Sequence, residues 1–566
     1  MAAMRAGEAI VRILEAEGVK AVFGIPGGHT LPIYDALYDR PGIRHILVRH
    51  EQVAANMAAG YAQLTGEPGV CCATAGPGAT NLVSGIAEAY IGALPIVILA
   101  GRGATANAHR GASQEIAQEQ LFRPITKWSV RIDRADLIVP ALRQAFTVAR
   151  SGKPGPVLID IPRDILAQEV ELGDYRRVGR PTPPRAAPEP LRLAAEALAC
   201  AERPLIVAGG GAIASGAWEQ VRAVAELLQA PVLTTLAGRG SLPDDHALAA
   251  GGIGHHRTWL TARLLPEADV VLGLGCRFEE QETNWRPTYL PDPAARYIQV
   301  DIDAAEIGRS VVSEIGIVGD VKLVLEDLLA LLAQARRDPS SAITQARLGQ
   351  LARDKERLEA EVAEMAASAQ RPIHPMRIIR AVRDMFPRES TVAIDVGVLA
   401  QGMGGAFPYF KVFEPRSLIV PSSFYGMGFA ASALPVAKLA HPDRPAVGFV
   451  GDGSFQMIMN VLPVAAEFGL PVTWCVLNDQ ALGSILDGQR AAFGNRIIAT
   501  TFEVQPDFAR IAEACRCHGE KVTDPAEVRP ALARALAANG RGVPAVIDFL
   551  VAKERVAGSV DFFAKR

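Results

Sequence analysis

The fold class predicted by this sequence is α/β, with three doubly wound parallel-sheet domains, the central one nucleotide-binding-like. Three observations carry it. Short apolar runs rich in β-branched residues end in glycine-rich turns, each turn opens a helical pattern, and the cycle recurs along most of the 566 residues. That length allows about three to four domains. The hydrophobic content of 49% and the mean hydropathy of +0.16 indicate large buried cores. A net charge of −3, spread through the chain, argues against nucleic acid and against an anionic membrane as partners. No signal peptide and no apolar run near membrane-spanning length is evident, so the expectation is a cytoplasmic protein. The seven cysteines form no zinc or CxxC spacing and read as buried free thiols of a reducing compartment.

The first domain is expected over residues 1–175. Amphipathic spacing predicts a helix over 7–18, then a strand over 21–23 ending at Gly24-Ile25-Pro26-Gly27-Gly28-His29. A strand over 46–48 leads into His50-Glu51-Gln52 and an alanine-rich helix over 53–64. Strand 69–74 opens into Ala75-Gly76-Pro77-Gly78-Ala79-Thr80-Asn81, and strands at 96–100 and 156–161 continue the alternation. Residues 176–190, rich in Pro and Arg, read as a linker. The second domain, 191–335, has strands at 204–208, 231–235, 270–274 and 297–302; the first ends in Gly209-Gly210-Gly211 and the third in Gly275-Cys276-Arg277-Phe278. A charged helix over 351–366 suits a solvated connector. The third domain, 370–550, repeats the organisation of the first, as if one fold were used twice, and 551–566 read as a tail or lid.

The third domain holds the densest chemistry. A strand over 446–450 ends in Gly451-Asp452-Gly453-Ser454, a helix is expected over 455–468, and a strand over 472–477 ends in Asn478-Asp479-Gln480. Both acidic tips fall at carboxyl ends of neighbouring parallel strands, where open α/β sheets bind ligands. Asp452 and Asp479 stand 27 positions apart, about one crossover, so they can hold one hard cation between them. Oxygen ligands beside a glycine turn and a helix N-terminus suit Mg²⁺ carrying a diphosphate.

The GDGS and LNDQ pair resembles the thiamine-diphosphate motif of the acetolactate synthase superfamily. FGIPGG, the HEQ-AA-MA-GYA pattern, AGPGATN, GPVLIDIPRD, TKWS, LGCRFE, VDIDAAEIG and SSFYGMGFA extend the resemblance over essentially the whole chain in the same order. It implies thiamine diphosphate and Mg²⁺ as cofactors. Asp452 and Asp479 would be metal ligands, with the carbonyl of Ala481 as the third; Gly28, Gly451, Gly453 and Ser454 would line the cofactor. Met427 would be the apolar wedge that bends it. Glu51 would be the carboxylate against its aminopyrimidine, exchanging the proton its tautomers require. The family usually has asparagine where this chain has Asp479.

Three further features bear on the reaction. His29 stands where acetolactate synthases carry a small residue, and in this the chain is similar to benzaldehyde lyase. There an imidazole can move the proton of a 2-hydroxyl group. Gln114 matches an active-site glutamine shared by both groups. Downstream of the metal loop, Ser484 to Gln489 lack the tryptophan typical of acetolactate synthases. These departures make a carbon–carbon lyase or carboligase acting on 2-hydroxyacyl-CoA or 2-hydroxyketone compounds the primary expectation. The alternative is an acetolactate-synthase-like transferase joining two 2-ketoacids, and a non-catalytic nucleotide-binding paralogue is a third reading. In the central domain Gly209, Arg277 and Asp301 are candidates to hold FAD or ADP. The resemblance further implies a homodimer or homotetramer with the cofactor at the chain interface.

Overall fold

The computed structural model describes residues 3–286, 289–291, 294–334, 341–397 and 406–553; the expected lid beyond residue 553 lies outside them. Three six-stranded sheets carry the fold, and every ladder within them is parallel. The first comprises β1 (Ala21–Gly24), β2 (Arg44–Leu47), β3 (Gly69–Ala73), β4 (Ile96–Arg102), β5 (Trp128–Arg131) and β6 (Pro156–Pro162), in the spatial order β2-β1-β3-β4-β6-β5. The central sheet comprises β7 (Pro204–Ala208), β8 (Val232–Thr234), β9 (Ala249–Gly252), β10 (Val270–Leu274), β11 (Arg296–Asp301) and β12 (Ile315–Val318), in the order β9-β8-β7-β10-β11-β12. The third comprises β13 (Thr391–Ile394), β14 (Leu418–Ile419), β15 (Ala446–Gly451), β16 (Thr473–Asn478), β17 (His518–Val522) and β18 (Ala545–Leu550), in the order β14-β13-β15-β16-β18-β17. The first and third sheets therefore share one winding. The central sheet has the dinucleotide-fold order, with its reversal between β7 and β10.

Strands covered by helices on both faces read as continuous apolar runs, and β3, β6 and β16 are buried along their whole length. The first and third domains share one core, in which Phe23, Met57 and Ile98 belong with Phe429, Phe455 and Trp474. Its seam is the alanine-rich face of helix Glu51–Thr65 against Phe429–Ala433. A Cβ on Gly60 would stand 2.7 Å from that of Ala433, so the approach needs glycine. Within the seam Asn56 donates to Ser432 Oγ at 2.9 Å.

Several boundaries differ from expectation for local reasons. Helix Glu51–Thr65 starts two residues early because His50 caps it, its Nδ1 accepting from the Gln52 N–H at 3.2 Å. The single helix expected over 455–468 is two, Asp452–Ile458 and Val461–Glu467. Pro463 has no N–H with which to continue the first helix. The charged connector runs over Ala342–Ala366, with Ser341 accepting from the Thr344 N–H at 3.2 Å. Among the described residues no helix is long and apolar enough to cross a membrane.

Candidate active site

The Glu51 carboxylate emerges in the first turn of its helix, beyond the tip of β2, and is buried. Asn81, on helix Pro77–Ile91, donates to its Oε2 at 3.0 Å. Oε1 accepts from no described residue and faces Gly78, where a Cβ would stand 3.3 Å away. The acid thus has one oxygen fixed by the protein and one left for a ligand, and Gly78 keeps the approach open. Gly27 is required because a side chain there would meet Thr74 at 2.4 Å, whereas Gly28 borders open space.

At the other end, Asp452 opens helix Asp452–Ile458 at the tip of β15, and Asp479 follows the tip of β16. Both are buried, and burial pushes both carboxyls up; for Asp452 the neighbouring charge of Asp479 adds to the rise. Lys553 opposes the rise at Asp479. Two buried carboxylates that repel each other are a site short of positive charge. The Ala481 carbonyl accepts from no described donor, and a Cβ on Gly451 would meet nothing within 4 Å. These oxygens and the empty space beside Gly451 fit a hard divalent cation carrying a diphosphate. Protons compete with the cation for the two carboxylates, so acidification must weaken it. Mg²⁺ affinity, read by titrating cofactor-induced quenching of tryptophan fluorescence, is expected to fall steeply from about pH 8 to about pH 6. A flat profile would contradict paired carboxylate ligation.

Motif reading missed the groups that hold these ligands. Gln505, on a loop without a motif, donates to Asp452 Oδ2 at 2.7 Å and to Asn478 Oδ1 at 3.0 Å. Asn478 in turn donates to Asp548 Oδ1 at 2.8 Å. The hydroxyl of Ser454, a candidate donor to the diphosphate, bonds to the buried Asp395 carboxylate.

Met427 lies with its methyl 3.7 Å from where a Gly453 Cβ would be. Its loop is held from both sides. Asp395 accepts from the Gly428 and Ala431 N–H groups at 2.9 Å each. Glu88, more than 300 positions upstream, accepts from the Ser422 N–H and from the Gly426 N–H at 3.0 Å. Burial raises both carboxyls, that of Asp395 to about 6.

His29 ends the turn after β1, its Nδ1 3.1 Å from Thr74 Oγ1. Burial, and secondarily the charge of Arg163, hold its pKa below the usual histidine range, so the imidazole is neutral at physiological pH. It borders a cavity of about 400 Å³ shared with Asn107, Arg110, Ser113 and Arg163. Gln114, exposed and in a left-handed conformation (φ 64°), packs its backbone on Gly76 at the mouth of the Pro77 helix.

The central candidates are engaged within the protein. Gly209 and Gly211 pack on Gly275, whose carbonyl oxygen would lie 2.2 Å from a Gly209 Cβ. Close backbone packing therefore explains these glycines without a phosphate. Arg277 donates to the Ile91 carbonyl at 2.9 Å and pairs with Glu279 at 3.3 Å. Asp301 is buried and accepts from the Asp303 N–H at 2.9 Å. Gly209 and Arg277 follow the two strands that flank the sheet's reversal, the position expected for a nucleotide, and Asp301 ends the next strand, but each already has a structural partner.

Comparison with known proteins accounts for this arrangement. Residues 4–121 match the family model of the thiamine pyrophosphate enzyme N-terminal TPP binding domain, 191–328 that of the central domain, and 401–549 that of the C-terminal TPP binding domain. The chain is 38% identical over 561 residues to a probable acetolactate synthase large subunit of Methanocaldococcus jannaschii, covering 97% of this chain and 92% of that one. It is 35% identical over 554 residues to the acetolactate synthase isozyme 3 large subunit of Escherichia coli, covering 95% and 93%. These likenesses favour the transferase alternative over the lyase that His29 and the altered metal-loop segment had put first. The chain belongs to the thiamine-diphosphate-dependent enzymes of the acetolactate synthase superfamily.

Proposed function

We propose that this enzyme joins two 2-ketoacids in the manner of an acetolactate synthase. The observation that carries the reading is the full-length likeness to proteins of that name, in a chain that carries Glu51 and Asp452 at the ends of its strands. In the net reaction the bond between the donor's carboxyl and carbonyl carbons breaks and carbon dioxide leaves. The donor's acyl carbon bonds to the acceptor's carbonyl carbon, and the acceptor's oxygen takes up one proton to become a tertiary hydroxyl. Bound thiamine diphosphate supplies the carbon nucleophile and the electron sink.

Asp452, Asp479 and the Ala481 carbonyl would hold Mg²⁺ and, through it, the diphosphate. Glu51 Oε1 would be the oxygen that holds or releases a proton towards the aminopyrimidine, while Asn81 keeps the side chain oriented. Met427 supports the cofactor from the loop gripped by Glu88 and Asp395. Gln114 orients an acyl or hydroxyl oxygen. Neutral His29, with Nδ1 engaged by Thr74, holds its other nitrogen for the proton that the new hydroxyl requires. A homodimer or homotetramer would bring Glu51 of one chain to Asp452 of another. FAD or ADP would occupy the reversal of the central sheet, and the seven free thiols, five of them buried and Cys200 exposed, suit a cytoplasmic setting.

The test is incubation with pyruvate, thiamine diphosphate and Mg²⁺. Carbon dioxide release, with a five-carbon hydroxyketoacid detected by mass, is expected. A specific observation, His29 beside the cavity, keeps the lyase as the second reading. Cleavage of a 2-hydroxyketone or a 2-hydroxyacyl-CoA without carbon dioxide release from any 2-ketoacid would replace the first reading by the second.

A further inference from the structure

The half-open cavity beside His29 is lined by two arginines, Arg110 and Arg163, both exposed to solvent. Among the described residues neither the Arg110 nor the Arg163 side chain makes a hydrogen bond or ion pair. Their acidic neighbours in sequence are committed elsewhere. Asp164 accepts from the Thr105 N–H at 3.0 Å and from the Thr105 hydroxyl. Glu115 accepts from the His109 N–H at 2.8 Å and the Ala112 N–H at 3.3 Å. Asp160 and Glu119 both hold Arg102, at 2.6 and 2.7 Å. Two further arginines of this domain have their own partners, Arg131 with Asp133 at 2.7 Å and Arg150 with Glu17 at 2.9 Å. Neutral His29 offers no negative charge. The cavity therefore carries two uncompensated positive charges in the planar form that grips carboxylates.

We propose that this cavity is the acceptor subsite and that it selects a 2-ketoacid bearing a second, distal carboxylate over an aliphatic 2-ketoacid; the assignment rests on the ligase reading above. An aliphatic acceptor brings one carboxylate, next to its reacting carbonyl, and one guanidinium satisfies it. The second guanidinium then faces only solvent, and a second carboxylate adds a charge-assisted contact there. A volume of about 400 Å³ also exceeds the needs of a three- or four-carbon acid. A five-carbon diacid answers both points, with one carboxylate on each arginine and its keto oxygen near His29. Asn107 adds an amide for the remaining lone pairs.

The test uses the enzyme loaded with thiamine diphosphate and Mg²⁺. Calorimetric titration with unreactive glutarate and butyrate is expected to show at least about tenfold tighter binding of the diacid. Arg110→Met with Arg163→Met should erase that preference, and rising salt should weaken glutarate alone. If the double variant is poorly folded, Arg163→Lys gives the same test, because a point charge keeps attraction but loses the fork. Equal binding of the two acids to the unaltered enzyme would overturn the subsite. In turnover, 2-ketoglutarate and 2-ketobutyrate compete as acceptors with pyruvate as donor, and the diacid product should predominate by mass spectrometry. Predominance of the 2-ketobutyrate product would also overturn it, while leaving the ligase reading intact. Failure of pyruvate to release carbon dioxide sinks the ligase reading instead, and glutarate binding still decides the subsite.

Discussion

Glu51→Gln is expected to lower kcat by about 10²–10⁴-fold while the protein stays folded. The amide has the shape of the acid, and its oxygen can still accept from Asn81, so the helix start and its packing persist. What disappears is a group able to exchange a proton through the oxygen facing Gly78. Deuterium exchange at the reactive carbon of bound cofactor, followed by NMR after acid quench, separates this loss from weaker binding. Exchange should slow in parallel with turnover, whereas the cofactor concentration for half saturation should move little. Undiminished turnover in the variant would remove Glu51 from the chemistry.

The second large effect is expected at a residue no motif marks. Glu88→Ala leaves the Ser422 and Gly426 N–H groups without their acceptor. Each orphaned donor costs about 1–3 kcal/mol, less where water can reach the partly buried loop. The loss should be local first: amide hydrogen exchange should accelerate at 422–428, and thiamine diphosphate should bind more weakly because Met427 is less well held. Glu88→Gln, which keeps one acceptor, should recover part of both effects. Unchanged exchange at Gly426 in the alanine variant would show that the loop is held by Asp395 alone.

The strand–turn–helix cycle was plain in the sequence because parallel strands covered on both faces are continuous apolar runs closed by glycine. Edge strands were harder. β5 (Trp128–Arg131) and β17 (His518–Val522) are half polar, and β14 (Leu418–Ile419) is only two residues long. The residues proposed to meet the cofactor were legible because such chemistry forces particular types into short motifs, as with Asp452, Asp479 and Glu51. Their supports were not. Gln505 reaches Asp452 from a loop 53 positions away, and Glu88 meets its partners across more than 300 positions. Such pairings come from domain packing, which no local window contains. His29 was visible but its surroundings were not: Arg163 borders the same cavity, and nothing in the turn itself announces an arginine 134 positions on.

The shared winding of the first and third sheets has a consequence for how this enzyme can change. GIPGGH follows β1 and AGPGATN follows β3; their counterparts follow β13 and β15 as the Asp395 turn and GDGS. One scaffold thus presents two equivalent rows of loops, and the division of labour between them lies wholly in those tips. Strand interiors can drift as interchangeable ballast while a few tip residues are rewritten. New specificities should therefore be sought by grafting turns between relatives, with the sheets beneath left alone.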